Sequence, residues 1–261
     1  MKSVSLFYLV RVFLLLTLLF AVGFQTWLTH IRTTDWNDAL WITIYPINAD
    51  GSEQSARYIR ELSIREFLPV KDFLFREATK YHKTKDDPVT INLADEVKAI
   101  PPQPVENGGP LVTLWWSLKM RYWAMHHDST AGPEPDVRIF VLYHDPEKNE
   151  VLRHSLGLEK GLIGVVNAFA SRSMRGSNQL VIAHELLHTV GATDKYEAET
   201  GLPVYPNGFG EPDRRPRFPQ RYTEVMGGRK AVSEHKAIMP RSLKRVVVGS
   251  LTAREIGWID D

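Results

Sequence analysis

The chain has 261 residues, enough for one sizeable domain with an appendage. Its composition is globular, 43% hydrophobic and 24% charged, and a net charge of +1 exerts no overall pull toward nucleic acid. Cysteine is absent, which excludes disulfides and thiolate metal sites and leaves histidines and carboxylates as candidate ligands.

Lys2 and Arg11 precede an apolar run from Val12 to Leu28, roughly 17 residues and at the short end of what spans a bilayer. The run exceeds the usual apolar region of a cleaved signal, and its best cleavage site, Ala21-Val22-Gly23, lies inside it. The expectation is an uncleaved signal anchor over residues 1–32, favoured over a secreted form and over a buried core helix. Lys2 and Arg11 predict a single-pass membrane protein with a cytoplasmic N-terminus and residues 33–261 outside.

Ala39–Tyr45 reads as a strand ended by Pro46, and Asp50-Gly51 as a turn. Ser52 to His82 reads as mainly helical, with Ser63 and Glu66 resembling a capping box and Pro69 beginning or kinking the second half. Val89–Leu93 alternates like a second strand. Pro101 to Pro110 reads as loop. Leu111 to His127 is a second long helix, and Leu111, Trp115, Leu118, Tyr122 and Met125 recur at helical spacing as its expected core stripe. His126, His127, His144 and His154 have no second ligand at useful spacing and read as surface, capping or loop residues. Asp136–Tyr143 is the clearest strand. Gly161–Phe169 is another, whose glycines hint at an edge or bulge. The order of strands and helices predicts an α+β fold with a mixed sheet packed by helices.

Next comes an apolar helix from about Ser177 to Gly191, carrying His184-Glu185-Leu186-Leu187-His188. Positions four apart lie on one helix face, so His184 and His188 can present two imidazoles to one metal ion. Glu185 sits about 100° around the helix, where it can miss the metal yet reach a water bound to it. Gly191 tolerates positive φ, so the chain can stop the helix, double back and bring Asp194 in as a third ligand. Two imidazoles, one carboxylate and a base fit an open catalytic Zn²⁺ site.

Beyond Asp194 the chain is irregular, rich in glycine and proline between Asn207 and Pro219. Arg214, Arg215, Arg217 and Arg221 make this loop basic, and a solvated loop is expected rather than a site for acidic substrates or an anionic membrane. Leu251–Trp258 reads as a terminal helix capped by Ser250 or Thr252. Scattered acidic residues form no recognisable calcium loop.

The pattern His184-Glu185-x-x-His188-x-x-Gly191-x-x-Asp194 resembles the metzincin zinc-peptidase signature. Most metzincins have a third His where this chain has Asp194; the snapalysin-like peptidases carry Asp there, and the chain is similar to them at that point. The resemblance implies a metzincin-like catalytic domain, with residues 33–191 as N-terminal and 192–261 as C-terminal subdomain around a cleft. It implies a zinc metalloendopeptidase acting on peptide or protein substrate, with Glu185 as catalytic base. It also implies a methionine turn beneath the metal: Met239, in Ala237-Ile-Met-Pro240, is preferred on spacing, and Met226 is the alternative. Gly161–Phe169 would then be a cleft strand pairing with substrate, an expectation that stands level with an ordinary sheet strand. Tyr196, Tyr205 and Tyr222 are open choices for an auxiliary oxyanion donor. Two rivals remain: an anchored zinc-binding or scaffold protein without turnover, and a zinc hydrolase of a non-peptide bond.

Overall fold

The computed structural model describes residues 6–83, 87–104, 108–128, 133–159 and 161–259. A five-stranded mixed sheet organises it, in the order β2-β1-β3-β5-β4. Strands β1 (Leu40–Asn48), β2 (Val89–Leu93), β3 (Val137–His144) and β5 (Ile163–Phe169) run parallel, and the three-residue β4 (Leu156–Leu158) is antiparallel on β5. Ile44 faces Ile139, and Phe140 faces Val165.

The central strands are apolar almost throughout because both sheet faces are covered. Ile42, Ile44, Val137, Ile139 and Val141 bury one face with Phe73 and Leu74 of α3 (Leu68–Lys80) and Leu180 and Leu187 of α5 (Arg175–Thr189). The alternate residues Tyr45, Ile47, Phe140 and Leu142 bury the other face with Trp116, Met120 and Ala124 of α4 (Pro110–His126). Further helices are α1 (Leu6–Thr34), α2 (Glu53–Arg60) and α6 (Ser250–Glu255). The C-terminal part adds two small two-stranded sheets, β6 (Thr223–Glu224) with β9 (Val246–Val247) and β7 (Lys230–Ser233) with β8 (Lys236–Ile238). Residues on either side of position 191 share one core, since Met226, Val246, Ile256 and Trp258 join the cluster on the α3–α5 face. The α+β class and the mixed sheet agree with expectation.

Several expectations are corrected. Among the described residues no helix is long and apolar enough to cross a membrane, which overturns the single-pass placement and the N-terminal membrane helix. The apolar run within α1 is shorter than the roughly 20 residues that a span needs. Lys2, used to orient it, lies outside the described residues. β1 does not end at Pro46. Its ladder with β2 stops at Ile44 opposite Leu93, so the amide that proline lacks has no strand beside it, and the Pro46 carbonyl still accepts from Val97 N. Ser63 makes no side-chain cap; the cap that forms is Ser52, which accepts from Ser55 N. α6 is capped by Gly249, while Thr252 donates to Glu224. The helix stripe through Leu111, Trp115, Leu118, Tyr122 and Met125 is exposed, not core, because α4 is apolar on two faces and its Trp116 face meets the sheet. Gly161–Phe169 is not an edge: β5 lies between β3 and β4, and β4 is the edge.

Candidate metal centre

The site is built on the last two turns of α5 and the turn that follows. Gly191 adopts φ of +105°, which a side chain would resist. It ends the helix in a Schellman turn, with Ala192 N donating to Leu187 O and Gly191 N to His188 O. That turn places the Ala192 carbonyl where His188 Nδ1 donates to it, at 2.7 Å. His184 Nδ1 donates to the Val225 carbonyl at 3.0 Å. Carbonyl oxygens only accept, so both Nδ1 atoms carry a proton, which leaves each Nε2 as the ring nitrogen that can turn a lone pair to a metal ion.

The two Nε2 atoms are 3.1 Å apart, and Asp194 Oδ1 lies 3.1 Å from each. Three potential donor atoms thus converge on one point, where their mutual repulsion is relieved either by protons on the imidazoles or by a cation held among them. His184, His188 and Asp194 form a group of donors that could hold a metal ion. Glu185 is buried on the same helix, and its Oε2 has no hydrogen-bond partner. A buried carboxylate oxygen left so is costly unless the site uses it.

Electrostatics follow this crowding. Burial raises the Glu185 carboxyl above its usual range, against the opposing pull of the two histidines. Burial also works against ionised Asp194, but hydrogen bonds from His184 and His188 outweigh it and hold that carboxyl well below the usual range. For His184, burial favours the neutral ring, and the Asp194 hydrogen bond and Glu185 charge reverse the balance.

The ligand loop is fixed from its sides. Thr193 donates through its amide and hydroxyl to Glu255 of α6, at 3.0 and 2.7 Å. Buried Lys195 donates its ammonium to Glu255 at 2.6 Å and to the Thr193 carbonyl, and its amide donates to Met226 O. Glu224, fully buried, accepts from Thr252 Oγ1, Gly249 N and Gly227 N, which ties the Glu224–Gly227 turn to the start of α6. That turn carries the Val225 carbonyl used by His184.

β4 closes the site from above. A methyl group on Gly157 would lie inside the contact distance of His188 Cβ, 2.7 Å from the Glu185 carbonyl oxygen and 3.3 Å from Glu185 Oε2. Glycine is what lets the edge strand cross the helix there.

The two candidate methionines differ in depth, Met239 lying near the surface and Met226 in the core. Met239 is 40% exposed beside Pro240 and Arg241, whereas Met226 is fully buried next to Val225. Met226, unlike Met239, belongs to the core cluster that also holds Leu186 and Leu187 of α5. Of the three tyrosines, Tyr196 lies with its ring 6.1 Å from that of His184. Burial, with Asp194 and Glu185 nearby, pushes its phenol up to about 12, so it remains an O–H donor at neutral pH. Tyr205 instead packs against Phe209 and under Arg217. His126 and His127 bond backbone carbonyls of their own helix, and His144 bonds Asn167. In the basic loop, Arg214 bonds the Pro219 carbonyl and Arg221 pairs with Glu211.

Gly157, Lys195, Glu224 and Glu255 were not singled out from sequence. Only Gly157 carries a signal there, as a glycine between two leucines in a short apolar segment. No protein-family model matches this chain, and no curated protein matches it either.

Proposed function

We propose that the chain is a zinc-dependent peptidase. The observation that carries this is the meeting of two imidazole Nε2 atoms from one helix and a carboxylate oxygen from the turn after it at mutual distances of 3.1 Å, beside the buried Glu185, whose Oε2 has no hydrogen-bond partner. Tetrahedral zinc takes nitrogen and oxygen ligands at roughly 2.0–2.2 Å, which sets them about 3.3 Å apart, close to this spacing. The donor set also suits zinc, which accepts imidazole and carboxylate together. Zinc held by His184, His188 and Asp194 would polarise a carbonyl and make water acidic near neutral pH.

The chain's own residues supply the rest. Glu185, raised in pKa by burial, accepts a proton from the attacking water and passes it to the leaving amine. Tyr196, held as a neutral phenol, is the donor best placed to steady a developing oxyanion. The backbone carbonyls of Val225 and Ala192 fix ring orientation and tautomer. The metzincin resemblance extends the proposal. Met226 takes the part of the methionine beneath the site, and extended peptide pairs with the free edge of β4, whose Gly157 keeps the strand against Glu185.

The test is zinc content and cleavage of denatured protein by wild type and by Glu185→Gln. One zinc in both, with cleavage by wild type alone, is the expected result. Zinc in both and cleavage by neither favours a binding protein. Loss of an ester or other non-peptide bond, with peptides untouched, favours the other hydrolase. Asp194→Ala is expected to lower zinc content; unchanged content would remove Asp194 from the ligand set.

A further inference from the structure

Residues 214–245 carry ten lysines and arginines against two glutamates, a balance of +8 in a chain whose total is +1. Of the two carboxylates, Glu224 is buried and engaged by Thr252 and two amides. Glu234 sits in the turn between β7 and β8. Five of the cations, Arg221, Lys230, Arg241, Lys244 and Arg245, line one cavity of about 610 Å³. That volume lies in the range of about 300–1,000 Å³ usual for a ligand site. No carboxylate lines it, and Arg214, Arg215 and Arg217 of the preceding basic loop do not either. Arg221 is paired with Glu211, but among the described residues no carboxylate pairs with the other four. Charges of one sign around a hollow with low-dielectric walls focus their field and concentrate anions there.

The rest of the lining selects among anions. Ile238 and Met239 are exposed in it, beside Pro240. No aromatic ring lines the cavity, so the bases of a nucleic acid would have nothing to stack on. A bilayer surface is broad and flat, and is met by an apolar helix face rather than by a hollow. A free inorganic anion would use the cations and leave the apolar wall without a partner. A peptide with acidic residues next to apolar ones uses both.

The cavity also lies close to the candidate metal centre. Thr223, in its lining, is two residues before Val225, whose carbonyl holds His184, and two residues span at most about 7 Å. On the other side, Ser177 Oγ donates to the Pro240 carbonyl at 3.2 Å. From Ser177 to His184 is about 10 Å along α5, a distance that extended peptide covers in about three residues.

We propose that this cavity is a subsite for an acidic stretch of peptide, aspartate or glutamate with apolar neighbours, about three residues from the bond at the metal centre. It rests on the peptidase reading above, so binding is measured apart from cleavage.

Fluorescence anisotropy of the full-length Glu185→Gln chain reads binding. The probes are a labelled peptide of glutamate, alanine and leucine, the same peptide with glutamine for glutamate, and oligothymidine. The glutamate peptide is expected to bind at least about tenfold more tightly than the glutamine one, a difference that shrinks as salt rises from about 0.05 to 0.5 M. Adding Arg241→Glu/Lys244→Glu, two exposed positions whose effect on the fold is checked by circular dichroism, is expected to abolish the preference. Equal binding of the two peptides overturns the proposal, as does a preference that survives the double substitution. Oligothymidine binding as tightly as the glutamate peptide overturns it in favour of a general polyanion surface. Cleavage by wild type separates the two readings. If the glutamate peptide is bound with the expected preference and neither peptide is cut, the acidic-peptide site stands and the peptidase reading fails. If both are cut with equal kcat/KM, the peptidase reading stands and the subsite fails.

Discussion

Replacing Gly157 by alanine tests the closest packing at the candidate metal centre. The new methyl group would stand 2.7 Å from the Glu185 carbonyl oxygen and overlap His188 Cβ. Carbon atoms settle at about 3.5–4.0 Å from such neighbours, so something must move by about 1 Å. Helix α5 is held by the core beneath it, with Leu180, Leu186 and Leu187 buried, whereas β4 has only three residue pairs to β5. The strand should therefore yield. Overpacking of this kind costs about 1–3 kcal/mol, and each kcal/mol lowers Tm by about 2–4 °C in a domain of this size. Thermal unfolding followed by circular dichroism, with and without added zinc, reads the loss. If the strand yields, Gly157→Ala melts lower but gains as much stability from zinc as wild type. If the helix yields, the zinc-dependent gain also shrinks, because His188 moves. An unchanged Tm in both conditions would refute the close approach of β4 to α5.

Three further outcomes are expected. Met226→Ala should cost about 2–5 kcal/mol in urea denaturation, as for a buried Met truncated in a core, and Met239→Ala should stay within about 0.5 kcal/mol. Glu255→Gln, which weakens the hold on Thr193 and Lys195 without touching a ligand, should lower zinc affinity by about 10–100-fold in chelator competition. Burial works against ionised Asp50, but the amides of Asp145 and Ser52 hold its carboxyl down to about 2, so its stabilising effect is present above its usual value of 3.8. That effect is lost as pH falls from there through about 2, and Asp50→Asn should flatten the acid limb of stability over that window.

The parts legible in the sequence are those fixed by local periodicity. The spacing of His184 and His188 determines that they share a helix face, and Gly191 reads as a helix stop because positive φ is costly for other residues. The buried strands announce themselves as apolar runs. What escaped depends on partners remote in sequence. A two-faced apolar helix does not say which face meets the sheet, so the stripe through Leu111 and Trp115 was assigned to the core while Trp116 and Met120 occupy it. Leu156–Leu158 is too short for alternation to register, yet it forms the sheet edge. The Val225 carbonyl that orients His184 is backbone, and its residue type carries no hint of the role. Spacing along an irregular segment does not reveal depth in a core, so the exposure of Met239 and the burial of Met226 are not legible in the sequence.

The hold that α6 exerts on the ligand loop has a consequence for the order of assembly. His184 and His188 share one helix, but the carbonyl that orients His184 comes 41 residues later. The carboxylate that braces Thr193 and Lys195 comes 62 and 60 residues after them. During synthesis the helix leaves the ribosome well before either support exists. At that stage the two histidines are a loose pair, and the loop that carries Asp194 is braced only when Glu255 has docked. Under the proposed zinc binding, metal would be retained tightly only by chains that have completed their C-terminal packing, and retention would itself be a check on correct folding.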